Sequence, residues 1–320
     1  MADQSRDLQG VATWEPTSIA DRLFVLVYRG ALAVGRAVVV LLALAILLSQ
    51  FLLAGLGGAL AQPIVGVFVV LSALPALALA WYVRRLDVTS AEPLGLLVAT
   101  VVLDGLLAGF AAVVNSAVDA ILIQPLPTVL AAVATGISFF VVVGPIEEAV
   151  KLLAIRIYAY RSSRFDAVVD GAVYGGAAGL GFATIENAVY IASETGTIDS
   201  PLALATAGGS IALVRALAGP GHVIYAAFAG YYLGLAKFNP DHAGPIVLKG
   251  LTIAALIHAG YNLLVSNVPG LYSWLSGTHP IVALAAFVAV YDGLFVYLLY
   301  RKLRAYRQAH DAAADSVASG

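Results

Sequence analysis

Long apolar blocks follow one another along this sequence. Each runs for about 20 residues or more, the length a helix needs to cross the hydrocarbon core of a bilayer. There are about eight by that criterion, centred on residues 32–54, 64–83, 94–115, 129–158, 168–192, 204–236, 246–266 and 281–300. A chain so divided is expected to fold as an all-α polytopic membrane bundle. Only closed hydrogen-bonding patterns survive in lipid, and a helix closes its own. Composition agrees: 61% of the 320 residues are hydrophobic and 11% are charged, against about 25% charged in soluble domains.

The few charges set an orientation. Arg84 and Arg85, then Arg156, Arg161 and Arg164, then Lys237 and Lys249 fall on one set of loops. Both chain ends join them, with Arg6, Arg22 and Arg29 before the first block and Arg301, Lys302, Arg304 and Arg307 after the last. The opposite loops, near 57–63, 116–128, 193–203 and 267–280, hold no Lys or Arg. Basic loops stay in the cytoplasm, so both termini are expected to be cytoplasmic, in a multi-pass protein of the cell membrane.

Three regions are expected. Residues 1–30 form a cytoplasmic segment without the features of a cleaved signal peptide. Its stretch from Trp14 to Tyr28 reads either as an interfacial amphipathic helix or as an unstructured tail. Residues 31–304 form the bundle, and residues 305–320, rich in Ala, Asp and Ser, form a disordered cytoplasmic tail. The chain has no cysteine, which excludes disulfides, thiolate metal sites and a cysteine nucleophile.

Ionisable groups inside spans cost about 2.5–3.5 kcal/mol each on insertion scales, so those that persist point to chemistry. The fourth span carries Glu147, Glu148 and Lys151. The fifth carries Asp170, Glu186 and Asn187, the sixth Arg215 and His222, and the seventh His258 and Asn262. Lys151 follows the glutamates by three and four residues and shares a helix face with them. The pairs Arg215/His222 and His258/Asn262 also share faces. At 1.5 Å per residue, Glu147, His222 and His258 each lie about 15–20 Å above the cytoplasmic ends of their spans. Glutamates and histidines from four helices can therefore meet near mid-membrane.

Such a group can activate water. A carboxylate takes the proton, and imidazoles stabilise the oxyanion or protonate the leaving amine. The same Glu147, Glu148, His222 and His258 could instead hold a divalent metal such as zinc. Asp104 and Asp292 read as packing or cavity residues. Gly171, Gly175 and Gly179, four apart, form a face for close helix approach. HExxH and GxSxG are absent, and Tyr291-Asp292 has no GxGD partner, so zincin, α/β-hydrolase and intramembrane aspartyl chemistries are set aside.

Four segments, in order and in separate spans, carry a resemblance. Glu147-Glu148-Ala149-Val150-Lys151 resembles the EExxK motif of the PrsW family of intramembrane proteases. Gly181-Phe182-Ala183-Thr184-Ile185-Glu186-Asn187 resembles its glycine-rich FAxxEN segment, and Arg215 with His222 its third motif. His258-Ala259-Gly260-Tyr261-Asn262 resembles its closing HxxxN-like motif. The resemblance covers residues 128–266. It implies a peptidase, glutamic-type or metal-dependent, that cuts a membrane-anchored protein near the bilayer, such as an anti-sigma factor. Glu147, Glu148, His222 and His258 would be catalytic, and Lys151, Glu186, Asn187, Arg215 and Asn262 supporting. The family is similar in turn to the CAAX prenyl endopeptidases and the bacteriocin-immunity-type membrane proteases. Here the basic residue comes one position early, and Glu186 stands where their FxxxH has histidine, so prenyl-protein processing is not implied. A proton- or ion-coupled transporter using the same groups is the alternative, and a non-catalytic scaffold is a third reading.

Overall fold

The computed structural model describes residues 62–318 apart from 88–90 and 199, together with a few isolated positions between Ile19 and Val34 that are helical. The span expected at 32–54 lies outside the described residues except for Val34, and so does most of the segment Trp14–Tyr28. The described residues from 62 onward are mostly helical, with no strand among them. In order they are α1 (Pro63–Arg85), α2 (Leu94–Val118), α3 (Thr128–Ser138), α4 (Gly144–Ile157), α5 (Val168–Thr195), α6 (Pro201–Lys237), α7 (Ala243–Val265), α8 (Val268–Ser276) and α9 (Pro280–Ala318). With π-turns extending α2 and joining α3 to α4, seven helical stretches among the described residues are long and apolar enough to cross a membrane. Each matches one of the blocks read from the sequence.

Local chemistry sets the ends. Pro63, Pro145, Pro201 and Pro269 stand at the first or second position of their helices, where a missing N–H costs nothing. Ser200 caps α6, its side chain accepting from the Ala203 N–H. The Asp170 carboxylate accepts from the backbone N–H groups of Asp166 (2.8 Å) and Ala167 (2.7 Å) and fixes the start of α5. Lys237 Nζ closes the other end of α6 by donating to the carbonyls of Tyr160 and Phe165, both at 2.8 Å. Within the loop expected at 267–280, α8 forms and stops at Gly277, which takes the left-handed φ of 69°. α9 continues to Ala318, over residues expected to be disordered. Its run of alanines, the best helix formers, carries the helix on.

Helix α5 is the core. Nearly every residue from Val168 to Ala183 is buried, whereas α1 turns Val67, Val70, Leu71 and Leu74 outward. The Gly171, Gly175 and Gly179 face meets α6 backbone to backbone. A Cβ would lie 2.1 Å from the Gly230 carbonyl oxygen at Gly171, 2.2 Å from that of Ala226 at Gly175, and 2.3 Å from that of His222 at Gly179. The register steps forward on one helix as it steps back on the other, so the two run antiparallel. Their tightest approach ends at His222.

Two proline-glycine steps behave differently. α6 is continuous through Gly219-Pro220. Before α4, the chain makes a π-turn over Phe139–Val143, and the Gly144 N–H reaches the Phe139 carbonyl five residues back. Pro145 cannot donate to the carbonyl four residues before it, so the ladder widens there. The extra residue re-aims the face that carries Glu147 and Glu148.

Candidate active site

One polar network crosses the bundle at the level of the paired glutamates. Glu148 is fully buried on α4. Its Oε1 accepts from Lys151 Nζ at 2.5 Å and from His258 Nδ1 at 2.9 Å. Lys151 Nζ also lies 3.1 Å from His222 Nδ1. An ammonium only donates, so His222 Nδ1 is the acceptor and the ring proton sits on Nε2. His222 Nε2 therefore donates to Glu186 Oε2 at 2.8 Å. The Arg215 guanidinium is bonded to the same Glu186 oxygen, and its Nε donates to Asn187 Oδ1 at 2.9 Å. Asn187 Nδ2 reaches Ser72 Oγ on α1 at 3.1 Å. At the other end of the network, Asn115 Nδ2 on α2 holds Glu147 Oε1 at 2.9 Å.

The second oxygen of Glu147 is different. Glu147 Oε2 is buried and has no hydrogen-bond partner among the described residues. It faces His258 Nε2 across 3.6 Å. With its Nδ1–H given to Glu148, neutral His258 presents a lone pair at Nε2. Two acceptors therefore face each other across a gap suited to a water's proton or to a cation.

Aromatic rings hold the imidazoles. Phe182 and His222 lie 5.1 Å apart, and the His222 and His258 rings meet edge to face at 5.1 Å. Tyr225 stacks on His258 at 5.1 Å and 29°. Phe182 also lies under Lys151 Nζ at 4.4 Å, and Tyr190 lies under Arg215 at 4.4 Å. These contacts are cation–π pairs. They offset part of the cost of keeping both cations among helices.

The network lines a cavity of about 800 Å³ whose wall includes Glu147, Glu186, Arg215, His222, His258 and Asn262. Glu148, Lys151 and Asn187 lie behind that wall. Asn262 makes no side-chain hydrogen bond among the described residues. Asp104 and Asp292 are buried on α2 and α9, and neither is hydrogen-bonded to Glu147, His222 or His258. Asp292 instead accepts from the Tyr225 hydroxyl at 3.5 Å.

Sequence reading missed Asn115, Ser72 and the aromatic supports Tyr190 and Tyr225. Asn115 carried a usable signal, a lone amide at the edge of an apolar block. The aromatic residues carried none, because tyrosine and phenylalanine are ordinary in spans.

The donor set also suits a metal. Glu147, His222 and His258 are all buried, and each offers a ligand atom within 4.8 Å of the others'. Two imidazoles and a carboxylate are a common zinc set. Glu148 on His258 and Glu186 on His222 supply the outer carboxylates that orient such ligands. The unpaired Glu147 oxygen facing His258 Nε2 is where the fit is best, whereas Lys151 would have to give up His222 Nδ1 if that atom were the ligand.

A sequence model of the PrsW family intramembrane metalloprotease matches residues 92–292, a stretch that contains Glu147, Glu186, His222 and His258. The chain is 30% identical over 203 residues to Protease PrsW of Shouchella clausii, which is 63% of this chain and 85% of that protein. It is 33% identical over 145 residues to Protease PrsW of Bacillus subtilis, covering 44% of this chain and 59% of that protein. It is 26% identical over 225 residues to Protease PrsW of Oceanobacillus iheyensis, covering 68% and 90%. No solved structure matches the chain significantly. With well over half its length matched by the family, the chain belongs to the PrsW family of intramembrane metalloproteases.

Proposed function

We propose that this protein hydrolyses a peptide bond of a membrane-anchored protein at the cavity between α2, α4, α5, α6 and α7, with Glu147 as the proton acceptor. The observation that carries this is the unpartnered Glu147 Oε2 facing His258 Nε2. Glu148 gives its Oε1 to Lys151 and His258, and its Oε2, also buried and unpartnered among the described residues, lies off the cavity that Glu147 lines, which leaves Glu148 the orienting role. Water held between Glu147 Oε2 and His258 Nε2 loses a proton to Glu147 as its oxygen bonds to the scissile carbonyl carbon. Glu147 then gives that proton to the amine nitrogen as the C–N bond breaks. His222, held by Glu186 and Lys151, and Asn262 border the carbonyl oxygen.

A divalent metal such as zinc would be held by Glu147, His222 and His258, and would there polarise the carbonyl and lower the pKa of water. Both forms of activation draw on the same Glu147 oxygen. No observation favours the transporter reading. An anti-sigma-factor-like substrate rests on the motif resemblance alone.

The basic residues at the ends of the helices support cytoplasmic termini in the cell membrane. Reporter fusions at residues 10 and 312 are expected to read cytoplasmic, and an extracytoplasmic signal from either would overturn that topology. The activity is tested with the purified protein and membrane-anchored peptides. Wild type is expected to cleave, whereas Glu147→Gln and His258→Ala, checked for folding, are expected not to. Equal cleavage by all three would remove the site from the function.

A further inference from the structure

Hydrolysis of an amide places negative charge on the carbonyl oxygen, and a protease speeds the step with a donor fixed in advance. The buried nitrogen donors of this network already serve other groups. Lys151 serves Glu148 and His222, Arg215 serves Glu186 and Asn187, His222 serves Glu186, His258 serves Glu148, and Asn115 serves Glu147. The Tyr225 hydroxyl is given to Asp292. On α7 beside His258, two donors remain without a side-chain hydrogen bond among the described residues, the half-buried Asn262 amide and the Tyr261 hydroxyl. The Tyr261 hydroxyl is enclosed by protein and has no hydrogen-bond partner among the described residues.

Its position suits the task. Tyr261 lies one turn beyond His258 on α7, so the two side chains share a helix face. It lines the same cavity as Glu147, His222 and His258. Its ring is held on three sides, by Tyr225 at 6.2 Å, Phe287 at 5.7 Å and Tyr291 at 5.6 Å. Tyr291 is itself locked, its hydroxyl donating to the Ile257 carbonyl at 2.7 Å. A Cβ at Gly260 would stand 2.8 Å from that hydroxyl, so glycine at this position lets α9 bring Tyr291 against α7. A buried polar group without a partner is costly, and natural proteins keep few without a use. Here the ring is immobilised while the hydroxyl is left free.

We infer that Tyr261 is a catalytic residue of this site, its hydroxyl donating to the substrate's carbonyl oxygen and to the oxyanion that forms there. This inference rests on the protease reading above. The hydroxyl keeps its proton throughout. It forms a hydrogen bond that strengthens as the water oxygen adds to the carbonyl, and the proton exchange remains at Glu147.

The test is Tyr261→Phe, which removes one oxygen and keeps the ring. The probe is an internally quenched single-span peptide in detergent micelles, taken from a panel as the one wild type cleaves fastest. Wild type, Glu147→Gln, Tyr261→Phe and Tyr261→Ala are compared by kcat, KM and thermal unfolding. A purely structural hydroxyl without a partner can be removed without loss of stability or rate. The inference predicts that Tyr261→Phe unfolds at or above the wild-type temperature while kcat falls about 10²–10³-fold, with KM little changed. A folded Tyr261→Phe with wild-type kcat overturns it, and a loss seen only in Tyr261→Ala does the same by assigning the ring to packing. If Glu147→Gln cleaves as well as wild type, or wild type cleaves no peptide, the protease reading itself fails, and that result is distinct from a failure at Tyr261 alone.

Discussion

His258 Nε2 and Glu147 Oε2 face each other across 3.6 Å with no proton assigned between them. The arrangement follows from what surrounds them. Glu148 takes the other imidazole nitrogen, and Asn115 takes the other carboxylate oxygen. Adjacent glutamates in one helical turn thus acquire different tasks, because only one of them meets Lys151.

That asymmetry predicts opposite effects on stability. Removing one member of a buried ion pair costs about 3–5 kcal/mol, so Glu148→Gln is expected to lose about that much. Glu147→Gln keeps the bond from Asn115 and removes an unpaired carboxylate oxygen, so its stability should equal or exceed wild type. Chemical unfolding in detergent micelles measures both, and equal losses would contradict the assignment.

Packing between α5 and α6 gives a second prediction. At Gly175 a Cβ would lie 2.2 Å from the Ala226 carbonyl oxygen. Neither backbone can move without displacing His222 four residues earlier on α6. Gly175→Ala should therefore destabilise by about 1–3 kcal/mol, the usual cost of overpacking, and should lower activity as well. At Gly176 the nearest atom to a Cβ is 3.6 Å away. Gly176→Ala should be tolerated, and thermal unfolding of the two variants provides the comparison.

Outside the spans, Glu92 is fully buried ahead of α2 and accepts from the Tyr174 hydroxyl. Burial pushes its pKa up from 4.5 to about 7, with Asp170 and Asp87 adding repulsion. The folded chain holds this proton where the unfolded chain has lost it. The stabilising contribution is complete below 4.5 and is lost as pH rises toward about 7. Glu92→Gln, neutral at every pH, should flatten this part of the stability profile. Unfolding temperatures from pH 4.5 to pH 8, a range of about 3.5 units around that window, would show it; an unchanged slope would exclude Glu92 as its source.

Much of this was legible in the sequence. Apolar length located α1, α2 and α5–α7 within a few residues, since a span must both cross lipid and satisfy its own backbone. Helical spacing placed Lys151 against the glutamates and put Arg215 on the His222 face. What it could not provide was the rotation of one helix against another. Asn187 bonds Arg215 and Ser72 rather than the glutamates, and nothing in its own span specifies that choice. The π-turn before Gly144 depends on Pro145 and on the neighbouring Ala255 backbone, which approaches a Gly144 Cβ to 2.7 Å. Tyr261 stood inside the closing motif, but its missing partner shows only when the other helices are in place.

Metal content separates the two forms of water activation. If Glu147, His222 and His258 hold a divalent ion, the purified protein should contain about one equivalent of zinc, as a three-residue catalytic set does. His258→Ala should lose it, and a chelator should abolish cleavage until zinc is restored. Full activity in chelated, metal-free protein would assign the proton transfer to Glu147 and its water alone.

Glu147 is the group on which the proposed hydrolysis depends. The most direct measurement is the single-turnover rate of cleavage of a membrane-anchored peptide by Glu147→Gln, compared with wild type in the same micelles and with folding verified by its unfolding temperature. Loss of the group that accepts the water's proton should slow the step by about 10²–10⁴-fold while the protein stays as stable as wild type. A folded Glu147→Gln that cleaves at the wild-type rate would contradict the site, the mechanism and the role given to its facing histidine.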